Sequence, residues 1–173
     1  MHTSRSLRCL LLAGFAWWSV PSMAEPTVVG WIESVKLGGE GLVLPAKLDT
    51  GADTSSLHVS DIRWSRRESG EWVAFDVVDR NNRKVRLERK VERMARVKKA
   101  AGGVQDRPTV LLGVCLGNIY RVTEVNLTDR TGFKLPFLVW RSFLAERFAV
   151  DSSRTDTLEP ACRTTLAASA IAG

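Results

Sequence analysis

Histidine is nearly absent: the 173 residues hold two, His2 and His58. Cysteine is scarce as well, with Cys9, Cys115 and Cys162. Without the first 24 residues, treated below, one His and two Cys remain, too few for a four-ligand Cys/His zinc site. No His-Glu-x-x-His motif is present, and no Gly-x-x-x-x-Gly-Lys-Ser/Thr loop exists to cradle a nucleotide phosphate. The apolar run from Cys9 to Val20 is shorter than the ~20 residues that cross a bilayer. Charge of one sign is not concentrated either. Lys and Arg number 25 against 19 acids, a net of +6 spread along the chain, so no nucleic-acid partner is implied. Only residues 83–99 are locally basic, and their alternation with Val85, Leu87 and Val91 suits the outer faces of strands.

What is present begins with a processing signal. Arg5 and Arg8 precede the apolar run, and Pro21-Ser22-Met23-Ala24 sets small residues at a cleavage site. Residues 1–24 therefore read as a secretory signal cut after Ala24. The expected product is a secreted or periplasmic protein without a membrane span. Cys115 and Cys162 would then meet an oxidising compartment and pair, or Cys115 would stay a free core thiol among Leu111, Leu112 and Leu116.

The remaining chain reads as β. Thr27 to Ser34 is rich in β-branched and aromatic residues, and Gly38-Gly39-Glu40-Gly41 turns it. Leu42, Leu44, Ala46 and Leu48 alternate with their neighbours, the period of a half-buried strand. Further strands are expected at 61–64, 72–78, around Val85 and Leu87, and at 109–116, 119–127 and 137–140. Trp31, Trp64 and Trp72 fall on strand positions and read most simply as core, or, where exposed, as the lining of a peptide groove. Arg141 to Phe148 fits one or two helical turns, and the Ser-, Thr- and Ala-rich residues from Ser152 on read as a loose tail. These expectations give a closed all-β domain over 25–155, one short C-terminal helix and a flexible tail over 156–173.

One constellation carries chemistry. The alternating strand runs directly into Asp49-Thr50-Gly51-Ala52-Asp53, and Ser55-Ser56-Leu57 closes the loop. Alone, Asp-Thr-Gly also fits an ordinary turn. In this context the chain resembles the retropepsin-like aspartic proteases, within them the bacterial subgroup labelled ATP-dependent zinc proteases. The resemblance is carried by Val29-Gly30-Trp31, by Ala46-Lys47-Leu48-Asp49-Thr50-Gly51-Ala52-Asp53-Thr54-Ser55-Ser56-Leu57-His58, and by Arg107-Pro108. Leu138-Val139-Trp140-Arg141-Ser142-Phe143-Leu144 and Arg147-Phe148-Ala149-Val150-Asp151 support it, so it spans roughly residues 28 to 155.

The resemblance implies a retropepsin-like closed β-barrel, a single lobe holding half an active site. Two carboxylates held close cannot both ionise cheaply, so they share one proton and supply base and acid together. The chain holds one Asp-Thr-Gly. A C2 homodimer pairing two copies of Asp49 is therefore implied, with a peptide or protein substrate and no cofactor or metal. Gly51 would let the turn bring backbone close to the acid, and the Thr50 hydroxyl would reach the facing loop. Ala52 and Asp53 would line the substrate together with Gly102-Gly103, read either as a flap or as an ordinary hairpin tip. Asp53 and Arg141 are expected to form an ion pair buttressing the site. Trp140 stands where the family has Gly, so the loop is displaced or the ring turns outward. The other reading is a noncatalytic binding or scaffold protein of the cell envelope on the same fold.

His58 near Ser55 and Ser56 lacks the third group a nucleophilic couple needs, and reads as a loop or core residue. Asn126-Leu127-Thr128 matches a glycosylation sequon that a bacterial-type leader makes uninformative.

Overall fold

The computed structural model describes residues 25–98 and 102–162. The expected signal segment and the last residues of the expected tail lie outside them. Eleven strands and one helical turn follow in order: β1 Thr27–Leu37, β2 Leu42–Asp49, β3 Ser55–His58, β4 Ser60–Arg67, β5 Gly70–Val78, β6 Lys84–Lys90, β7 Arg93–Lys98, β8 Val104–Leu116, β9 Ile119–Thr128, β10 Phe137–Trp140, α1 Arg141–Leu144 and β11 Phe148–Thr155.

The eight-stranded sheet has the order β11-β1-β2-β10-β3-β9-β8-β7, and a further pairing of β1 with β8 closes its middle into a ring. The three-stranded sheet β4-β5-β6 stands apart from it in hydrogen bonding. Thus the nearly all-β architecture holds, as a strand ring with an added sheet. Alternation explains the ring. In β2, Leu42, Leu44, Ala46 and Leu48 are at most 3% exposed, while Val43, Pro45, Lys47 and Asp49 take the other face half-buried. Val73, Phe75 and Val77 of β5 join Phe137, Val139, Leu57 and Leu127 in the same core, so both sheets share one interior. Each such side chain contributes about 1.5–3 kcal/mol by leaving water.

Several expectations change. Ser55-Ser56-Leu57 is not loop but β3, whose parallel pairing with β9 and antiparallel pairing with β10 hold it inside the ring. β8 starts at Val104, earlier than its apolar run, because β7 pairs with it from Lys98↔Val104 onward. α1 is a single turn ending at Leu144. Trp72 is buried, but Trp64 is 48% exposed on β4, whose residues are all exposed.

The loose tail does not start at Ser152 or at residue 156. β11 pairs in parallel with the start of β1, from Thr27↔Phe148 to Gly30↔Asp151. Gly30 permits this close approach, since a Cβ there would stand 2.5 Å from the Arg154 carbonyl oxygen. Beyond β11, Thr157 and Leu158 donate their amides to the buried Glu33 carboxylate, and Ala161 N donates to Gly117 O. Cys162 forms a disulfide with Cys115, so the thiol is not free. Residues 156–162 therefore belong to the folded body.

The basic stretch lies on β6, β7 and their flanks, largely paired with acids. Arg83 meets Asp79, Arg86 meets Asp61 and Asp76, Arg89 meets Glu40, Arg93 meets Glu124 and Arg96 meets Asp106.

Candidate active site

Asp49 is the last residue of β2, and its neighbour Leu48 is fixed in the core. The strand is flanked by β1 on one side and by parallel β10 on the other, with Trp140 registered against Asp49. The acid is thus mounted on the end of a strand held along both edges. Thr50 and Gly51 turn the chain at the surface. Ala52 N donates to Asp49 O at 3.3 Å, and Gly51 N donates to Asp49 Oδ1 at 3.0 Å.

The other carboxylate oxygen, Oδ2, accepts from Lys47 Nζ at 3.0 Å. Burial pushes the Asp49 pKa up, but the Lys47 ammonium and the Gly51 and Ala52 amides outweigh it and hold the carboxyl below its ordinary value. The side chain keeps 25% of its surface exposed. A second molecule can therefore reach it.

The Asp53–Arg141 pair is formed, with Arg141 Nη2 2.6 Å from Asp53 Oδ1. Arg141 N also donates to Ala52 O at 3.3 Å, tying α1 to the loop. Both side chains are mostly exposed, so the pair contributes at most about 1 kcal/mol and acts through geometry.

Trp140 displaces nothing from the β2–β10 register. Its indole Nε1 donates to Thr123 Oγ1 of β9 at 3.3 Å, its backbone N donates to Ser55 Oγ at 3.3 Å, and the residue packs against the core. The large ring is accommodated by reaching across β3.

Gly51 differs from expectation. It does not have the left-handed backbone of the turn glycines, and an added Cβ would meet only Asp49 Oδ1, at an ordinary 3.5 Å. Within one chain the turn does not require glycine. Thr50 is exposed, and its hydroxyl makes no hydrogen bond among the described residues. Gly102 and Gly103 do have left-handed φ, 90° and 83°, at the hairpin leading into β8. No atom among the described residues lies within 4 Å of a Cβ built on either. The rest of that tip, residues 99–101, lies outside the described residues.

Sequence reasoning passed over Lys47, although a residue two before Asp49 on a strand must share its face. It also missed a buried polar row. Across the sheet Lys47, Leu138, Ser56, Asn126, Thr109 and Arg93 are successive partners. Ser56 Oγ, Asn126 Oδ1 and Thr109 Oγ1 are buried in it without a hydrogen-bond partner among the described residues. Asn126 is only 3% exposed, which closes the sequon to a glycan.

His58 does not meet Ser55. Its Nδ1 accepts the Arg130 amide at 2.8 Å, while Ser55 Oγ is engaged with Trp140. The zinc implied by the subgroup's label finds no fitting donors. Among the described residues no three His, Cys, Asp or Glu side chains converge, and the two cysteines are joined to each other. No helix among those residues is long and apolar enough to cross a membrane.

A family model described as "Retropepsin-like aspartic endopeptidase RimB" matches residues 28–160. The chain belongs to this RimB-like family. Curated relatives include a "Probable alpha-L-glutamate ligase" of Shewanella halifaxensis, 31% identical over 65% of this chain and 25% of the relative. Another of that name, from Parasynechococcus marenigrum, is 30% identical over 75% of this chain and 28% of its own length. The RimB-like chain thus spans about a quarter of the curated relatives it matches. Among solved structures, Legionella pneumophila Lpg0085, described as of unknown function, superposes with a TM-score of 0.65 at 31% identity. That match covers 77% of this chain and 98% of the other.

Proposed function

We propose that this RimB-like chain is one half of an aspartic endopeptidase, completed when two copies bring their Asp49 loops together. The observation that carries the proposal is a lone carboxylate mounted rigidly at the end of β2, on a loop whose Thr50, Gly51 and Asp53 face solvent. Gly51, whose own chain leaves room for a side chain, has its reason if the facing loop packs there. The unbonded Thr50 hydroxyl is likewise free to bond across that contact.

In the assembled site, one ionised carboxylate takes a proton from water as its oxygen attacks the peptide carbonyl. The protonated partner gives its proton to the carbonyl oxygen. Collapse of the tetrahedral species then delivers a proton to the leaving amine. The substrate is an extended peptide, held by strand-like hydrogen bonds under the Gly102-Gly103 tips, with Ala52 and Asp53 beside it. The location that fits is the cell envelope or beyond, supported by the leader-like first 24 residues and by the Cys115–Cys162 disulfide.

Asp49→Asn decides this. Purified protein is incubated with an unbiased peptide mixture and products are read by mass spectrometry, with the solution mass measured in parallel. Cleavage that disappears in the variant, in a species of twice the chain mass, is expected; cleavage that persists refutes the assignment.

A second reading, a noncatalytic binding or scaffold protein on the same fold, is favoured by one observation. Lys47 already satisfies the Asp49 carboxylate within a single chain. That protein would bind peptides without cutting them, and Asp49→Asn would leave binding intact.

A further inference from the structure

We propose that Lys47 is a positioning residue of the Asp49 site, the counter-ion that sets how many protons the carboxylate pair carries. The inference rests on the peptidase reading for its kinetic consequence, but the contact itself does not.

The geometry is direct. Lys47 and Asp49 share one face of β2, and the ammonium lies 3.0 Å from Oδ2, the oxygen not engaged by Gly51. The Lys47 side chain is 44% exposed and the carboxylate 25%, so the pair sits at the mouth of the loop and not in the core. Other charges around it are already committed. On the loop and α1, Asp53 is paired with Arg141. On β1, Lys47 is registered against uncharged Ile32, and the neighbouring Glu33 accepts from Gly30, Thr157 and Leu158. On β10, the partners of Lys47 and Asp49 are Leu138 and Trp140, and β3 beyond them presents Ser55 and Ser56. Among the described residues, Lys47 is the one cation bonded to the Asp49 carboxylate.

Two facing carboxylates without cations hold a shared proton tightly, because full ionisation puts like charges side by side. An ammonium on each carboxylate changes that balance. It stabilises the doubly ionised state, so the shared proton leaves at lower pH. The pair titrates as a unit, and both limbs of its rate profile move toward acid. Lys47 acts on the proton inventory through Asp49 and takes no part in bond making.

The test is the pH dependence of kcat/KM for wild type, Lys47→Met and Lys47→Arg. Removing the cation should carry the alkaline limb upward by about one pH unit, the low end for an opposite charge at this distance because the lysine is half exposed. Lys47→Arg should restore a profile close to wild type. A Lys47→Met profile that superimposes on wild type, with activity retained, overturns the proposal.

A second readout separates this failure from failure of the peptidase reading: carboxyl-carbon NMR titration of Asp49 in wild type and Lys47→Met, with Lys47→Gln as substitute should Met fold poorly. If wild type cuts no peptide, the functional reading falls. Lys47 then stands if the Asp49 pKa is lower with the lysine than without it, and falls if the two are equal.

Discussion

Replacing Glu33 by Ala tests how the C-terminal segment is held. Glu33 is fully buried, and no cation pairs with it among the described residues. Its carboxyl oxygens are met instead by donors: Gly30 N at 2.6 Å, Thr157 N at 2.9 Å, Leu158 N at 3.0 Å and the Thr157 hydroxyl. Alanine takes this acceptor from the Thr157 and Leu158 amides, each costing roughly 1–3 kcal/mol if it stays dry, while Gly30 N keeps Thr157 Oγ1 at 3.2 Å. Thr157 and Leu158 are only half-buried, so water reaches them. A net loss of about 2 kcal/mol follows, two partial penalties and one weakened bond. With a urea slope of about 2 kcal/mol/M, the unfolding midpoint falls by about 1 M at unchanged slope. Glu33→Gln, which keeps one acceptor but turns an NH2 toward the amides, should lose less. Amide exchange at Thr157 and Leu158 should quicken in both. A midpoint within about 0.3 M of wild type for Glu33→Ala would refute the idea that this carboxylate anchors the segment.

The same segment is tied a second time, by a disulfide across a separation of 47 residues. Loop-closure entropy puts its loss at about 4 kcal/mol. Cys162→Ser, or wild type in reductant, should show that loss in urea unfolding, and a loss under 1 kcal/mol would contradict it. Asp79 supplies a pH test. Its side chain is 4% exposed and accepts from Asn81 N, Arg83 N and Arg83 Nε. Burial pushes its pKa up, yet these bonds outweigh burial and leave it below the ordinary value. A pKa depressed by folding stabilises above the unfolded value of about 4 and ceases to do so as pH falls through the folded value. Asp79→Asn should therefore flatten stability against pH below about pH 4. An unchanged slope would show that the bonds do not favour the ionised form.

The features legible in the sequence were those with a short-range signature. Alternation in Leu42–Leu48 placed β2 and its inner face, and the residue types at 49–53 marked the one loop worth testing. The Asp53–Arg141 contact came through resemblance, 88 positions apart in the chain. What was missed depends on partners distant in sequence. β3 is four residues long and has no alternation to show, being buried by β9 and β10 on either side. β11 looks polar because it is an edge strand with an exposed face, and only its pairing with β1 makes it structure. The Glu33 anchor joins residues 124 and 125 positions apart, which no local pattern encodes. Lys47 was different. The period of a strand put it beside Asp49, and only the contrast between an acid of interest and an ordinary surface lysine hid it.

Lys47 also bears on how catalytic and noncatalytic readings divide. A chain that only binds would gain from neutralising Asp49, and the observed ion pair offsets its charge without any second copy. A chain that cuts must leave the carboxylate able to reach water and a facing acid, and the 25% exposure of Asp49 beside a half-exposed lysine allows that. The energetic difference is small, because a partly solvated pair of this kind contributes on the order of 1 kcal/mol. A facing carboxyl that carries the shared proton can therefore hydrogen-bond to Asp49 while Lys47 stays beside it. The ion pair is therefore a bias on the proton and not a lock on the site.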